Sequence, residues 1–271
     1  MASFTVTVLG CGSSGGVPRV GPIGWAVCDP DNPKNRRRRC SILVTRKGEG
    51  GETRVLVDTG PDLREQLLSE NIQALDAVFY THQHADHIHG IDDLRPLVQA
   101  TGKRLQVYAN PATNQALHTR FAYCFETPYG SEYPPILDVT VIEEESRTTV
   151  TGAGGAITFV PFYVVHGDVN AFGYRIGTTA YLPDVHDIPD IAMSYLKNLD
   201  ILFIDALRDK PHISHFSLDD ALELIGRMKP KRAILTNLSQ DLDYADLLSR
   251  LPEHIVPAYD GMRVECPGPA D

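Results

Sequence analysis

Cysteine is scarce and scattered in this chain: Cys11, Cys28, Cys40, Cys124 and Cys266 are an odd number, and none stands in a Cys-x-x-Cys pair. Such a set builds neither a disulfide framework nor a cysteine zinc knuckle, so reduced thiols and a cytoplasmic location are expected. Basic charge is short as well, with 25 Lys and Arg against 35 Asp and Glu and a formal net charge of -10. That deficit works against sequence-independent nucleic-acid binding, which draws on broad basic surfaces, and favours a small substrate. Long apolar runs are missing too. No stretch approaches the roughly 18 residues that span a bilayer, and MASFTVTVLG lacks the regions of a signal peptide. A soluble, unprocessed protein with no membrane partner is expected. Internal repeats and low-complexity tracts are also lacking, and 42% hydrophobic residues suffice for a sizeable core, so residues 1–271 are expected to form one domain.

What the chain has is alternation. Short β-type runs (FTVTVLG, the pair CSILVTR and TRVLVDTG, DAVFYTH, RLQVYAN, ITFVPFYVVHG, AFGYRIG, TAYLPD, DILFIDA and RAILTNL) are interleaved with helical patterns (PDLREQLLSE, DDLRPLVQA, NPATNQALHTRFAYCF and SLDDALELIGRMK). This is α/β organisation. Asn110-Pro111 reads as an N-cap followed by Pro at the first helical position, and Ser217 with Asp220 reads as a capping box with Asp in place of Glu.

The apolar runs share an ending. VLVD closes on Asp58, VFYTH on His82, YVVH on His166, AYLPD on Asp184, LFID on Asp205 and AILTN on Asn237. Polar residues that close so many strands point to strand ends meeting at one edge, where rigid elements hold a shared site. Within it, THQHADHIHG (residues 81–90) crowds four of the chain's ten histidines into ten positions. His82 and His84, two apart on extended chain, point the same way, and Asp86 and His87 come round after a turn. Two metals are then served from one loop, with His166 completing the first site and Asp184 able to bridge.

The order His82-x-His84-x-Asp86-His87, preceded by LVDTG and followed by distant His166 and Asp184, resembles the metallo-β-lactamase fold superfamily over nearly the whole chain. The opening LGCGSSGGVPR, SHFSLDDAL and LTNLSQDLDY are most similar to the branch that holds ribonuclease Z and the cyclic phosphodiesterase PhnP. The resemblance implies a four-layer αββα sandwich with two divalent metals, Zn or Mn, at one edge. One metal falls to His82, His84 and His166, the other to Asp86 and His87, and Asp184 bridges. Asp86 and Asp184 hold metal and nucleophile, and His215 takes the position of a general acid. The implied activity is hydrolysis of a small cyclic or nucleotide-like phosphodiester by water activated at the metals. Two other functions come with the family: tRNA 3′ processing, and a non-hydrolytic accessory role like that of the pyrroloquinoline quinone biosynthesis protein. One departure stands out. The family places a final histidine ligand where this chain has Asn237, and Ser239 and Gln240 supply no imidazole nearby, so a weak second site is expected.

Other features leave alternatives open. GCGSSGG (residues 10–16) is a phosphate cradle or a tight turn, and matches no nucleotide-binding fingerprint. NRRRRC (residues 35–40) closes a long irregular segment that starts near Pro18, and its arginines either grip a phosphate or pair with surface carboxylates. Asp58 and Asp205 read as residues that orient ligands. His89, His118, His186 and His254 read as surface or packing residues, and His212 as a loop neighbour that could stand in for the absent imidazole. TPYGSEYPPILD reads as a pocket wall or a homodimer contact.

Overall fold

In the computed structural model, which describes residues 3–268, the strands are β1 (Ser3–Gly10), β2 (Ser41–Gly48), β3 (Gly51–Val57), β4 (Ala77–Phe79), β5 (Leu105–Ala109), β6 (Leu137–Val141), β7 (Thr148–Gly152), β8 (Gly155–His166), β9 (Val169–Ile176), β10 (Thr179–Leu182), β11 (Ile201–Asp205), β12 (Arg232–Thr236), β13 (Ile255–Pro257) and β14 (Arg263–Pro267). They form two seven-stranded sheets, in the orders β14-β1-β2-β3-β4-β5-β6 and β13-β12-β11-β10-β9-β8-β7. The helices are α1 (Leu63–Ser69), α2 (Ala85–Ile88), α3 (Arg95–Thr101), α4 (Pro111–Phe125), α5 (Leu218–Met228) and α6 (Tyr244–Arg250).

Side chains alternate across a strand, and here both faces of the central strands are apolar. In β2, Ile42 and Val44 face the space between the sheets, where they meet Val55, Phe79, Phe159, Tyr174 and Phe203. Leu43 points the other way, into a cluster with Leu56, Val78, Leu63 of α1 and Leu117 of α4. The second sheet repeats the scheme, with Leu202, Ile204 and Leu235 packed on Leu224 and Ile225 of α5 and Leu247 of α6. Helix, sheet, sheet and helix thus make four layers, the αββα sandwich that the family resemblance implies. Phe79 joins the two sheets by stacking on Phe159 with ring centroids 4.2 Å apart. Burying a side chain of that size contributes about 1.5–3 kcal/mol.

Both anticipated caps form. Asn110 accepts from the Thr113 amide at the start of α4, and Ser217 and Asp220 make a reciprocal capping box at α5. The short α6 is not anticipated by the apolar pattern; its signal is Asp243, whose carboxylate accepts from the Ala245 and Asp246 amides.

Within the arginine run, Arg38 and Arg39 pair with carboxylates as one expectation had it, whereas Arg37 takes a role that neither expectation describes. Arg37 is 1% exposed, and its guanidinium donates to the carbonyls of Ser239 and Leu242, each at 2.7 Å, and to Asn35 Oδ1 at 3.2 Å. It fastens the irregular segment before β2 to the turn after β12. Arg38 pairs with Asp260 at 3.0 Å and Arg39 with Asp62 at 3.1 Å, while Arg36 lies over the Trp25 ring. Replacing Arg37 by Met leaves the two carbonyls with only long bonds, from the Leu242 amide and the Cys28 thiol, each at 3.4 Å. We expect Arg37→Met to destabilise the fold by about 3 kcal/mol or more, read as a shift in urea midpoint.

Candidate metal centre

β3 runs parallel to β4, and β10 parallel to β11 and β12. β8 and β10 are each antiparallel to β9, so they also run the same way. The carboxyl ends of these strands therefore meet at one edge. Asp58, His82, His166, Asp184, Asp205 and Asn237, the polar closures of six apolar runs, are brought together there, all of them buried. Asp58 and Asn237 adopt left-handed backbone conformations, with φ of 66° and 59°. Such conformations are uncommon outside glycine, and they occur where a strand end turns sharply into a site.

The loop after β3 fixes the histidine motif. The Thr59 amide donates to the His87 carbonyl at 2.7 Å, and the Gly90 amide returns to the Thr59 carbonyl at 2.8 Å. The two segments touch so closely that a Cβ on Gly60 would lie 2.2 Å from the Asp86 carbonyl oxygen, and one on Gly90 2.0 Å from that of Gly60. Only glycine fits at either position.

His84 Nδ1 lies 3.0 Å from His82 Nε2 and 3.1 Å from His166 Nε2. Four ligand atoms on a tetrahedral ion at 2.0–2.1 Å stand about 3.3 Å from one another, so this spacing fits one metal. His87 Nε2 lies 3.1 Å from Asp184 Oδ2 and 3.4 Å from Asp86 Oδ2. Despite that proximity, the buried Asp184 Oδ2 has no hydrogen-bond partner among the described residues. Lone pairs that approach without aligning for a hydrogen bond are what a shared cation requires, and the second group fits a metal by that criterion. His82, His87 and Asp184 also form one cluster, and His166, Asp184 and His215 another, so Asp184 touches both groups.

The other ring nitrogens are held by neighbours. His87 Nδ1 donates to Asp58 Oδ2 at 2.8 Å, and His166 Nδ1 to the Ser214 carbonyl at 2.6 Å. Thr81 Oγ1 donates to Asp58 Oδ2 at 2.8 Å and stands 3.0 Å from His82 Nδ1, from which it accepts. These bonds leave the Nε2 atoms of His82, His87 and His166 free to ligate, with each ring fixed in one tautomer. Asp58 orients two of the three, the role its position predicts. Thr81 and the Ser214 carbonyl are missed by sequence reasoning; the adjacency of Thr81 to His82 is the one signal in the sequence.

His215 lies beside this group. Its Nδ1 donates to Asp205 Oδ2 at 2.7 Å, and Asp205 Oδ2 also accepts from the Val185 amide at 3.1 Å. Burial disfavours charge on the ring, but the Asp205 carboxylate outweighs it and raises His215 to about 9. Burial likewise opposes charge on His87, yet Asp184, Asp86 and Asp58 hold it well above the usual histidine range. His82 and His166, by contrast, are pushed down mainly by burial.

Asn237 Nδ2 lies 3.4 Å from Asp184 Oδ1 and 3.0 Å from His215 Nδ1, so the asparagine does occupy the edge of the second group. The remaining histidines do not enter. His89 meets Phe121 edge-on, His118 stacks on Phe125, and His186 and His254 are exposed. His212 bonds Ser214, with its ring centroid 5.2 Å from that of His215.

Residues 53–236 match the model of the beta-lactamase superfamily domain. A crystal structure described as a new diphosphatase from the PhnP family is 40% identical, with a TM-score of 0.84 over 96% of this chain and 97% of that one. An octanoyltransferase of Porphyromonas gingivalis (strain ATCC BAA-308 / W83) is 34% identical over 94% of this chain and 50% of its own length. A ribonuclease Z of Bradyrhizobium sp. (strain ORS 278) is 26% identical over 55% of this chain and 47% of its own length. The chain thus spans about half the length of these curated relatives. The acyl-transfer name conflicts with the hydrolase neighbours and is said of a protein twice as long. The fold, the His/Asp cluster at its edge and these likenesses agree: the chain belongs to the beta-lactamase superfamily and is related to the PhnP family.

Proposed function

We propose that the protein is a phosphodiesterase acting on a small phosphodiester or nucleotide-like substrate. The observation that carries this reading is His215: its Nδ1 donates to Asp205 Oδ2, its ring belongs to one group with His166 and Asp184, and its Nε2 makes no hydrogen bond among the described residues. His82, His84 and His166 would hold one divalent cation, Asp86, His87 and Asn237 the other, and Asp184 both. When bound, two such ions activate water near neutral pH and neutralise charge on phosphoryl oxygens. The chain's own part is to aim that chemistry. Asp58 and Thr81 fix the rings of His87 and His82, Asp205 fixes His215, and the His215 Nε2–H is placed to donate to the departing oxygen. An accessory protein without hydrolytic activity has no need of this arrangement. Turnover of bis-p-nitrophenyl phosphate by the metal-loaded protein, with a precursor tRNA assayed in parallel, tests the reading; cleavage of the tRNA alone would favour the ribonuclease Z function instead.

The two sites are unequal, since three imidazoles serve the first and a single imidazole, carboxylates and an amide serve the second. Imidazole holds Zn well, whereas the Asn237 carboxamide, which presents Nδ2 to Asp184, would ligate only with its oxygen turned inward, as a weak ligand suited to a harder ion such as Mn. Mild chelation is expected to remove one equivalent well before the other. Asn237→His should then slow loss of that first equivalent by about tenfold or more, read as metal content after timed dialysis. Loss of both equivalents together in the native chain would contradict the unequal assignment.

A further inference from the structure

A cavity of about 330 Å³ adjoins the histidine motif through Gln83 and has no part in the chemistry above. Gln83, which lies between His82 and His84, forms one wall, and Asp168 and Asn170 of the turn after His166 form another. Tyr163 of β8 and the start of α4, Asn110 to Ala112, complete it. Asn110 is 2% exposed. Its Oδ1 is committed to the Thr113 amide at 2.7 Å, which fixes the orientation of the side-chain amide, yet its Nδ2 has no hydrogen-bond partner. A buried amide donor without an acceptor costs about 1–3 kcal/mol, and a ligand that supplies the acceptor recovers it. The helix N-terminus adds a second donor, because Pro111 has no N–H and the Thr113 N–H is capped, which leaves that of Ala112.

The lining restricts what fits. It carries no Lys or Arg, and the exposed Asp168 carboxylate repels an anion, so a second phosphate is disfavoured. Gln83 and Asn170 each offer a carboxamide donor beside an acceptor, and Asn110 adds a donor alone. That pairing matches the alternating edge of a heterocyclic base, whereas a sugar hydroxyl presents a single atom. The half-buried Tyr163 ring contributes an aromatic surface of the kind that supports a base.

We infer that this cavity is a specificity subsite for the nucleobase of a nucleotide-like substrate, with Asn110 as its principal donor. The inference deepens the phosphodiesterase reading and rests on it. Its test keeps the leaving group constant: kcat/KM is measured on the p-nitrophenyl esters of a nucleoside 5′-monophosphate and of ribose 5-phosphate, and on bis-p-nitrophenyl phosphate. The native protein should prefer the nucleoside ester over the ribose ester by about tenfold or more. Asn110→Ser retains an N-cap of equal strength while removing the amide. It should raise KM for the nucleoside ester about tenfold and leave the other two substrates within about twofold. Asn170→Ala, at an exposed position, should act in the same direction if the Ser variant folds poorly. Equal losses on all three esters, or a ribose ester as good as the nucleoside ester, would overturn the subsite. If the native protein cleaves none of them, the phosphodiesterase reading fails by itself. The subsite is then judged by calorimetric binding of a nucleoside 5′-monophosphate: affinity about tenfold weaker in either variant upholds it, and unchanged affinity overturns it.

Discussion

His82→Ala and Asp184→Ala should each lower phosphodiesterase turnover by about a thousandfold or more, the largest effects that the site allows. The first removes one of the two imidazole nitrogens that stand 3.0 and 3.1 Å from His84 Nδ1, and the second removes the carboxylate that belongs to both groups. Neither change should unfold the protein. The packing between the sheets comes from Val44, Phe79, Phe159 and their neighbours, and the two site residues belong to none of the apolar clusters. Indeed, Asp184 draws the folded state's charges together at a desolvation cost, so its loss leaves His87 as the group most affected. Thermal melts should stay within several degrees of the native protein while metal content falls. Near-native kcat/KM in a variant shown to be metal-depleted would contradict the assignment.

The second large effect concerns His215 and depends on the substrate. An alkoxide with a high conjugate-acid pKa needs a proton as its bond to phosphorus breaks, whereas p-nitrophenolate departs unaided. His215→Ala should therefore cost about 10²–10⁴-fold in kcat/KM on an alkyl or ribose-type diester and far less on a p-nitrophenyl diester. Asp205→Asn should follow the same pattern more weakly, since the Asp205 Oδ2 bond at 2.7 Å both orients the ring and keeps it protonated. If His215 only orients His166 or caps the approach to α5, both substrates should suffer alike. Measuring the two diesters side by side separates these outcomes.

Most of the fold was legible because the strands announce themselves twice, by apolar runs and by the polar residue that ends each run. Ile42, Leu43 and Val44 show the limit of that signal. All three are buried, so the sequence has no polar face to tell which side meets the other sheet and which meets the helices. β6, β7, β13 and β14 escaped for a different reason: they are short or lie at sheet edges with exposed faces, as in β14, where exposed Arg263, Glu265 and Pro267 alternate with Val264 and Cys266.

At the site, ligating residue types at close spacing could be read directly, and the convergence of distant Asp184 and His166 could be expected from strand ends. Contacts made by backbone could not. Nothing in the sequence marks the Ser214 carbonyl as the acceptor for His166, and Arg37 looked like one member of a charged run until its guanidinium was found among carbonyls. Asn237 was legible as a departure, but its approach to both Asp184 and His215 follows from a left-handed turn that composition does not disclose.

The central claim is that the His/Asp cluster holds the metals and that they enable phosphodiester hydrolysis. It is tested most directly by titrating Zn or Mn into the stripped protein while following bis-p-nitrophenyl phosphate turnover and bound metal together. No turnover is expected without metal, and a rise that levels off once two equivalents are bound. Turnover by the stripped protein, or two bound equivalents with none, would contradict it.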